Sequence, residues 1–319
     1  MTVTHSIHTE GGGVSVGAVT PSRVGAASRP RPRAVLELLK PVTWFPPMWA
    51  FACGVVSSGV ALGERWTLAL LGLVVAGPLV CASSQAVNDW FDRHVDALNE
   101  PQRPIPSGRI PGRWGLGLAV GWTILSAAAA LLLGRWGFAA TVLALILAWA
   151  YSAPPLRLKR NGWGGNLAVG LSYEGLAWIT GAAVMLGGRL PGGEILLLAL
   201  LYSLGAHGIM TLNDFKSREG DLAMGIQSLT ASLGPSAAAW IACWIMAGAQ
   251  VAVILFLLHW GHMGHAVAVA GLLVAQLPLM ARLVRDPSPR RALEMSGFGV
   301  PLFVSGMMVS AFAIRGGAL

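Results

Sequence analysis

Residues 67–96 read TLALLGLVVAGPLVCASSQAV followed at once by NDWFDRHVD. Twenty-one residues without a charge run straight into three aspartates. The first part has the length a bilayer core asks of a helix, roughly 17–25 residues. The aspartates begin where such a helix would leave the lipid. Asp89, Asp92 and Asp96 are spaced three and four apart, so they share one helical face. The stretch predicts a membrane-spanning helix with a stripe of carboxylates just beyond its apolar part.

The rest of the chain repeats the first half of that pattern. Over 319 residues, 55% are hydrophobic and only 11% charged, against about 25% charged in a soluble domain. Mean hydropathy is +0.63. Apolar spans are expected at 42–62, 67–87, 114–133, 136–153, 166–186, 194–213, 236–258, 264–284 and 297–315. The fold class is therefore an all-α polytopic membrane protein with nine transmembrane helices. Residues 1–33, rich in Gly, Ser, Pro and Arg, are expected to form a flexible cytoplasmic tail. Cys53, Cys81 and Cys243 sit in apolar runs without ligand spacing, which argues against a disulfide framework or a zinc site. With the N-terminus inside, 18 of the 22 basic residues fall on the inner side, leaving Arg65, Arg135, Arg189 and Arg315 outside. That asymmetry is the positive-inside pattern. It accounts for the net charge of +8 without a nucleic-acid partner, and a basic rim suits anionic membrane lipids.

Acidic residues are more selective. Seven of the fourteen lie in two inner segments, Asp89, Asp92, Asp96 and Glu100, then Asp214, Glu219 and Asp221. Each segment begins with Asn-Asp, at 88–89 and 213–214, after an even-numbered span. Their separation suggests two four-helix halves, about 34–160 and 161–291, plus a ninth helix at 297–315. Three carboxylates on one face repel each other unless a cation sits among them. Mg²⁺ takes oxygen ligands, commonly one or two carboxylates together with substrate phosphates. Two facing carboxylate sets therefore suggest Mg²⁺ bridging to a diphosphate. The plainer alternative is a pair of solvated loops, their acids paired with Arg93, Lys216 and Arg218.

Longer motifs add a resemblance. NDWFDRHVD at 88–96 and the second aspartate-rich loop after the sixth span resemble the UbiA superfamily of intramembrane prenyltransferases. KPVTWFPPMWA at 40–50, NEPQRPIPSGR at 99–109 and NDFKSREGDLAMGIQSL at 213–229 are similar to its chlorophyll and bacteriochlorophyll synthase branch. Residues 81–113, SYEGL at 172–176 and GAHGIM at 205–210 look like the bacteriochlorophyll side of that branch. The resemblance covers about 34–316 and implies one domain of helices around a central cavity in a bacterial inner membrane, near photosynthetic assembly factors. It implies transfer of a geranylgeranyl or phytyl group from its diphosphate to the 17-propionate of bacteriochlorophyllide, with two Mg²⁺ ions. By the same resemblance Asn88, Asp92 and Asp96, with Asp89 alongside, hold one metal, and Asp214 and Asp221 the other. Many superfamily members carry an aspartate where this chain has Ser217, which leaves the ligands of the second segment open.

Departure of a diphosphate also needs positive charge on its oxygens. Arg103, Arg157 and Lys159 are the candidates, with Tyr151 heading the inner segment YSAPPLRLK at 151–159. A basic inner loop serves topology as well. The acceptor propionate is already ionised near neutral pH, so no general base is required. Asp92→Ala is expected to cost orders of magnitude in rate while sparing the fold. Glu174 and His207 lie mid-span in the fifth and sixth apolar runs. A lone carboxylate in hydrocarbon is costly, so Glu174 is expected to face the pigment cavity, bonded to His207. His207 is either a ligand of the pigment's magnesium or a hydrogen-bonded structural residue. His94 reads as a solvated interfacial side chain, and Pro46-Pro47 as a bend in the first span. A quinone or haem acceptor fits the superfamily but not the branch motifs. A cation-coupled transporter would keep its ion site near the bilayer midplane, whereas both clusters lie at the inner edge.

Overall fold

The computed structural model describes residues 29–316. The expected tail, 1–33, lies outside them except for its last five positions. Pro32–Leu39 forms α1, with proline in its first turn, where its fixed φ and missing N–H cost nothing. Ala34, Leu38 and Leu39 of α1 pack against Ala82, Ala86 and Val87 of a later helix. Lys40 then takes a left-handed conformation, φ 46°, and the chain turns into α2, Phe45–Ser57. Pro46 and Pro47 fall in the first turn of α2, where the N–H groups have no intrahelical acceptor anyway. They start the helix and do not bend it, contrary to the sequence expectation.

The remaining helices are α3 (Trp66–Asn99), α4 (Trp114–Ala130), α5 (Gly134–Ser152), α6 (Gly162–Met185), α7 (Gly193–Ala223), α8 (Pro235–His259), α9 (Met263–Arg285) and α10 (Pro289–Ala313). Each of the nine expected spans coincides with one of α2–α10. Among the described residues, seven helical runs are long and apolar enough to cross a membrane, and α2 is a shorter apolar helix. One of those runs, Trp114–Ser152, reverses at Gly134, whose φ is +77°. Trp149 Nε1 donates to Thr123 Oγ1 at 3.0 Å across the resulting α4–α5 hairpin. Among the described residues there is no strand, only an isolated bridge between Asn161 and Gln227. The protein is an all-α integral membrane protein.

Two helices overshoot the bilayer. At 1.5 Å per residue, the 34 residues of α3 and the 31 of α7 reach about 50 and 46 Å, against a hydrocarbon core of about 30 Å. The excess carries residues 88–96 and 213–221 out at one rim. The second aspartate segment is thus the end of α7 and not a loop. The helix continues to Ala223, and Ile226 N closes the end onto Asp221 O at 2.9 Å, with Gly225 at φ +65°, as a left-handed glycine cap does.

Close backbone contact holds the interior. A Cβ on Gly54 would lie 2.0 Å from Trp178 O, and one on Gly181 2.1 Å from Phe51 O, so α2 and α6 touch through glycine. Small residues allow this approach where lipid supplies no hydrophobic drive between helices. Buried polar pairs add to it: Trp178 Nε1 to Ser57 Oγ at 3.0 Å, Tyr202 to Ser310 at 2.8 Å, and reciprocal amides of Gln250 and Gln276 at 2.9 and 3.3 Å. The largest buried cluster joins α2 to α6–α10, so this core runs across the two expected halves.

Candidate active site

A cavity of about 410 Å³ opens between α2, α3, α5, α6 and α7. Pro46, Pro47, Val75, Val80, Ala140, Ala144, Leu147, Val169, Leu176 and Ile209 make most of its wall apolar. Two helical segments with widened, π-type turns face it, Val75–Cys81 in α3 and Leu171–Leu176 in α6. Such turns are frequent at functional sites. Tyr173 Oη gathers Gln85 Nε2 at 3.0 Å, Ser84 Oγ at 3.2 Å and Cys81 Sγ at 3.3 Å. That knot ties α3 to α6 across the chamber.

Asn88, Asn213 and Tyr151 line the same cavity. The ends of α3 and α7 therefore meet at one rim. Asp89 is 1% exposed and accepts from Lys40 Nζ at 2.7 Å and Arg103 Nη1 at 3.4 Å, while its Oδ2 is buried without a partner. Asp96 accepts from Arg103 Nη1 at 2.9 Å, and Glu100 also pairs with Arg103. Asp92 points the other way, to Lys159 and to Arg157 Nη2 at 3.4 Å. Burial pulls the Lys159 ammonium below the usual lysine range, and Asp92 pulls it back up. Asn88 Nδ2 reaches Ser152 Oγ at 3.4 Å. On α7, Asp214 Oδ2 accepts from Leu229 N at 3.3 Å and Asn166 Nδ2 at 3.5 Å. Asp221 accepts from Ser217 Oγ at 2.9 Å.

The acids do not pair as solvated loops would. Arg93 lies over the Trp90 ring at 4.1 Å, and Arg218 Nε donates to Thr230 O at 3.1 Å. The partners come instead from the other segments, Lys40, Arg103, Arg157 and Lys159. Arg157 and Lys40 both have left-handed backbones, φ 40° and 46°, a strain that non-glycine residues carry mostly at functional sites. The loop holding Arg157 and Lys159 is pinned to the loop after α7: Gln227 N donates to Arg160 O at 2.9 Å and Gly162 N to Gln227 O at 2.8 Å. Among the described residues, no three His, Cys, Asp or Glu side chains are gathered closely enough to hold a metal by themselves.

Lys40, Gln85, Ser84, Tyr173 and Ser152 were not singled out by sequence reasoning. Lys40 carried a signal, a lone cation just ahead of an apolar span. Glu174 lines the cavity, as expected. Its expected bond to His207 does not form: among the described residues, Glu174 Oε2 and both ring nitrogens of His207 lack a partner. The His207 ring packs on Trp163 with centroids 5.3 Å apart, so α7 turns it away from the carboxylate. His94 is exposed, as an interfacial residue should be.

An integral membrane protein with an apolar chamber, closed at one rim by interleaved acids and bases, is of the class that handles amphipathic anions. The model of the UbiA prenyltransferase family matches residues 41–305, and the chain belongs to that family. It is a prenyl-transferring membrane enzyme. It is 59% identical over 289 residues to the bacteriochlorophyll synthase 33 kDa chain of Cereibacter sphaeroides, across 91% of this chain and 95% of that protein. It is 37% identical to the chloroplastic chlorophyll synthase of Avena sativa, across 87% of this chain and 75% of that protein. In fold it is similar to a UbiA homologue from Archaeoglobus fulgidus bound to DMAPP and Mg²⁺, with a TM-score of 0.67 at 22% identity, covering 88% of this chain and 99% of that one.

Proposed function

We propose that this chain completes bacteriochlorophyll synthesis by esterifying the 17-propionate of bacteriochlorophyllide with geranylgeranyl or phytyl diphosphate. The observation that carries the reading is the shared chamber: Asn88 and Asn213, one from each Asn-Asp helix end, line one apolar cavity, and the bacteriochlorophyll synthases match across nearly the whole chain. The apolar wall accommodates an isoprenoid tail and a macrocycle, and the charged rim takes the diphosphate.

Divalent metal fits the rim. Its donors are hard carboxylate and amide oxygens, which suit Mg²⁺, and Asp89 Oδ2 is a buried oxygen still lacking a partner. Asn88, Asp89, Asp92 and Asp96 would hold one ion, Asp214 and Asp221 a second. Bound there, Mg²⁺ would neutralise the diphosphate and stabilise the charge that grows on it as it leaves. The side chains do the rest. Arg103, Arg157 and Lys159 exchange carboxylate partners for diphosphate oxygens, and Tyr151 stands between the two groups to orient them. Pro46, Pro47 and the aliphatic wall keep water from the allylic carbon. The propionate oxygen attacks as the ion it already is at neutral pH, and no side chain need take a proton.

On this reading α2–α10 make nine crossings of a bacterial inner membrane, with the N-terminus and both Asn-Asp rims on the cytoplasmic side. The distribution of 18 of 22 basic residues supports that sidedness. The domain occupies about 34–316, as two four-helix halves and a ninth helix, and photosynthetic assembly factors are its expected neighbours. The test is direct. Purified protein given bacteriochlorophyllide, geranylgeranyl diphosphate and Mg²⁺ should yield esterified pigment by chromatography. Esterification of a quinone precursor in place of the pigment would refute the proposed acceptor.

A further inference from the structure

Among the described residues, Glu174 is the only carboxylate that lines the cavity. It sits in the widened turn Leu171–Leu176 of α6, lines the cavity and is 5% exposed. Among the described residues its Oε2 is buried with no hydrogen-bond partner, and no Lys, Arg or His side chain lines the cavity with it. The cations of the rim, Lys40, Arg103, Arg157 and Lys159, are paired to the rim acids. A buried carboxylate with no structural partner is costly in hydrocarbon. Buried polar groups are nearly always satisfied, so the missing partner should arrive with a ligand.

The proposed acceptor narrows what that partner is. In a metallated tetrapyrrole the ring nitrogens hold the metal and carry no hydrogens. The edge substituents offer carbonyl and carboxylate oxygens, which repel an ionised carboxylate; a protonated one would donate to them equally with or without the metal, so a metal-dependent affinity separates the two. The one centre that accepts an electron pair is the magnesium, which has an open axial position. Carboxylate oxygen is a hard donor and suits it. We infer that Glu174 is the axial ligand of the pigment's magnesium, and that it fixes the macrocycle beneath the rim.

The placement agrees. Tyr173, next in the chain, is tied to Cys81, Ser84 and Gln85, which precede Asn88 on α3 by three to seven residues. At 1.5 Å per residue, Glu174 lies beside a level about 5–10 Å below Asn88. That is the order of the reach from a tetrapyrrole's centre to the end of its propionate arm. A pigment held at Glu174 would lift its carboxylate toward the diphosphate. His207 does not compete, because its ring packs on Trp163 and is not part of the cavity wall.

The inference rests on the pigment being the acceptor, and its test is binding, separate from turnover. Bacteriochlorophyllide and its metal-free analogue are titrated into purified wild type, E174A and E174Q without prenyl donor, following pigment fluorescence and the ligation-sensitive visible band. Wild type should bind the magnesium pigment at least about tenfold more tightly than the metal-free one, some 1.4 kcal/mol. E174A should bring the two affinities together and shift the visible band. The near-isosteric E174Q, which keeps a weaker oxygen donor, should fall between. Equal affinity of wild type for both pigments would overturn the ligand, and so would a loss in E174A shared equally by both. If wild type still esterifies the pigment in that case, only the ligation fails; if it binds neither pigment, the proposed acceptor fails with it.

Discussion

Lys159 changes how Asp92 should be probed. Its side chain is 9% exposed and its carboxylate partner is Asp92. Asp92→Ala would leave that ammonium buried and unpaired, which is itself destabilising, so a fall in melting temperature is expected beside the loss of rate. Asp92→Asn keeps an oxygen facing Lys159 and removes the charge. It is expected to lower the esterification rate by about 10²–10³-fold, the usual loss when one electrostatic contribution to a transition state is removed, with a smaller fall in melting temperature than Asp92→Ala. Equal rates for wild type and Asp92→Asn would contradict the role given to this carboxylate. Lys40 shows why part of the site was hidden. Asp89, Asp92 and Asp96 are legible because their spacing is local to one helix. Their cations arrive from residues 40, 103, 157 and 159, and no periodicity links those positions. Glu174 was legible as a charge inside an apolar run; its lack of a partner was not.

Helices were easier to read than their ends. Apolar length located α2–α10, because the bilayer fixes that length. The continuation of α3 and α7 past the lipid was partly concealed, since the polar run after Asn213 has the composition of a loop. The crossing of α2 and α6 was hidden altogether, as it depends on Gly54 meeting Trp178 O and Gly181 meeting Phe51 O. Gly181→Ala should therefore destabilise the protein by about 1–3 kcal/mol, the range for overpacking a close contact. The loss is large because the obstacle is backbone and cannot rotate away. An unchanged melting temperature in detergent would show that α2 and α6 can separate at no cost. Gly121→Ala, on an open face of α4, is the matched control and should be neutral or slightly stabilising.

At the scale of the whole molecule, orientation and metal dependence are the two properties that the account commits to. Cysteine placed at Leu62 should react with an impermeant maleimide in intact cells, and cysteine at Ser107 only after lysis. Both positions are exposed, and the three native cysteines are buried. The opposite pattern would invert the membrane topology. The positive-inside count made orientation legible from the sequence. The convergence of the two Asn-Asp ends on one chamber was legible only as a repeat, because it depends on how α3 and α7 pack around Tyr151. The most direct measurement follows diphosphate release and pigment ester formation together in wild type, Asp92→Asn and Asp214→Asn, each with Mg²⁺ and then with EDTA. The expected result is product with Mg²⁺ in wild type, none in EDTA, recovery on adding Mg²⁺ back, and a severe loss from either substitution alone. Full-rate ester formation in EDTA, or in either variant, would contradict it.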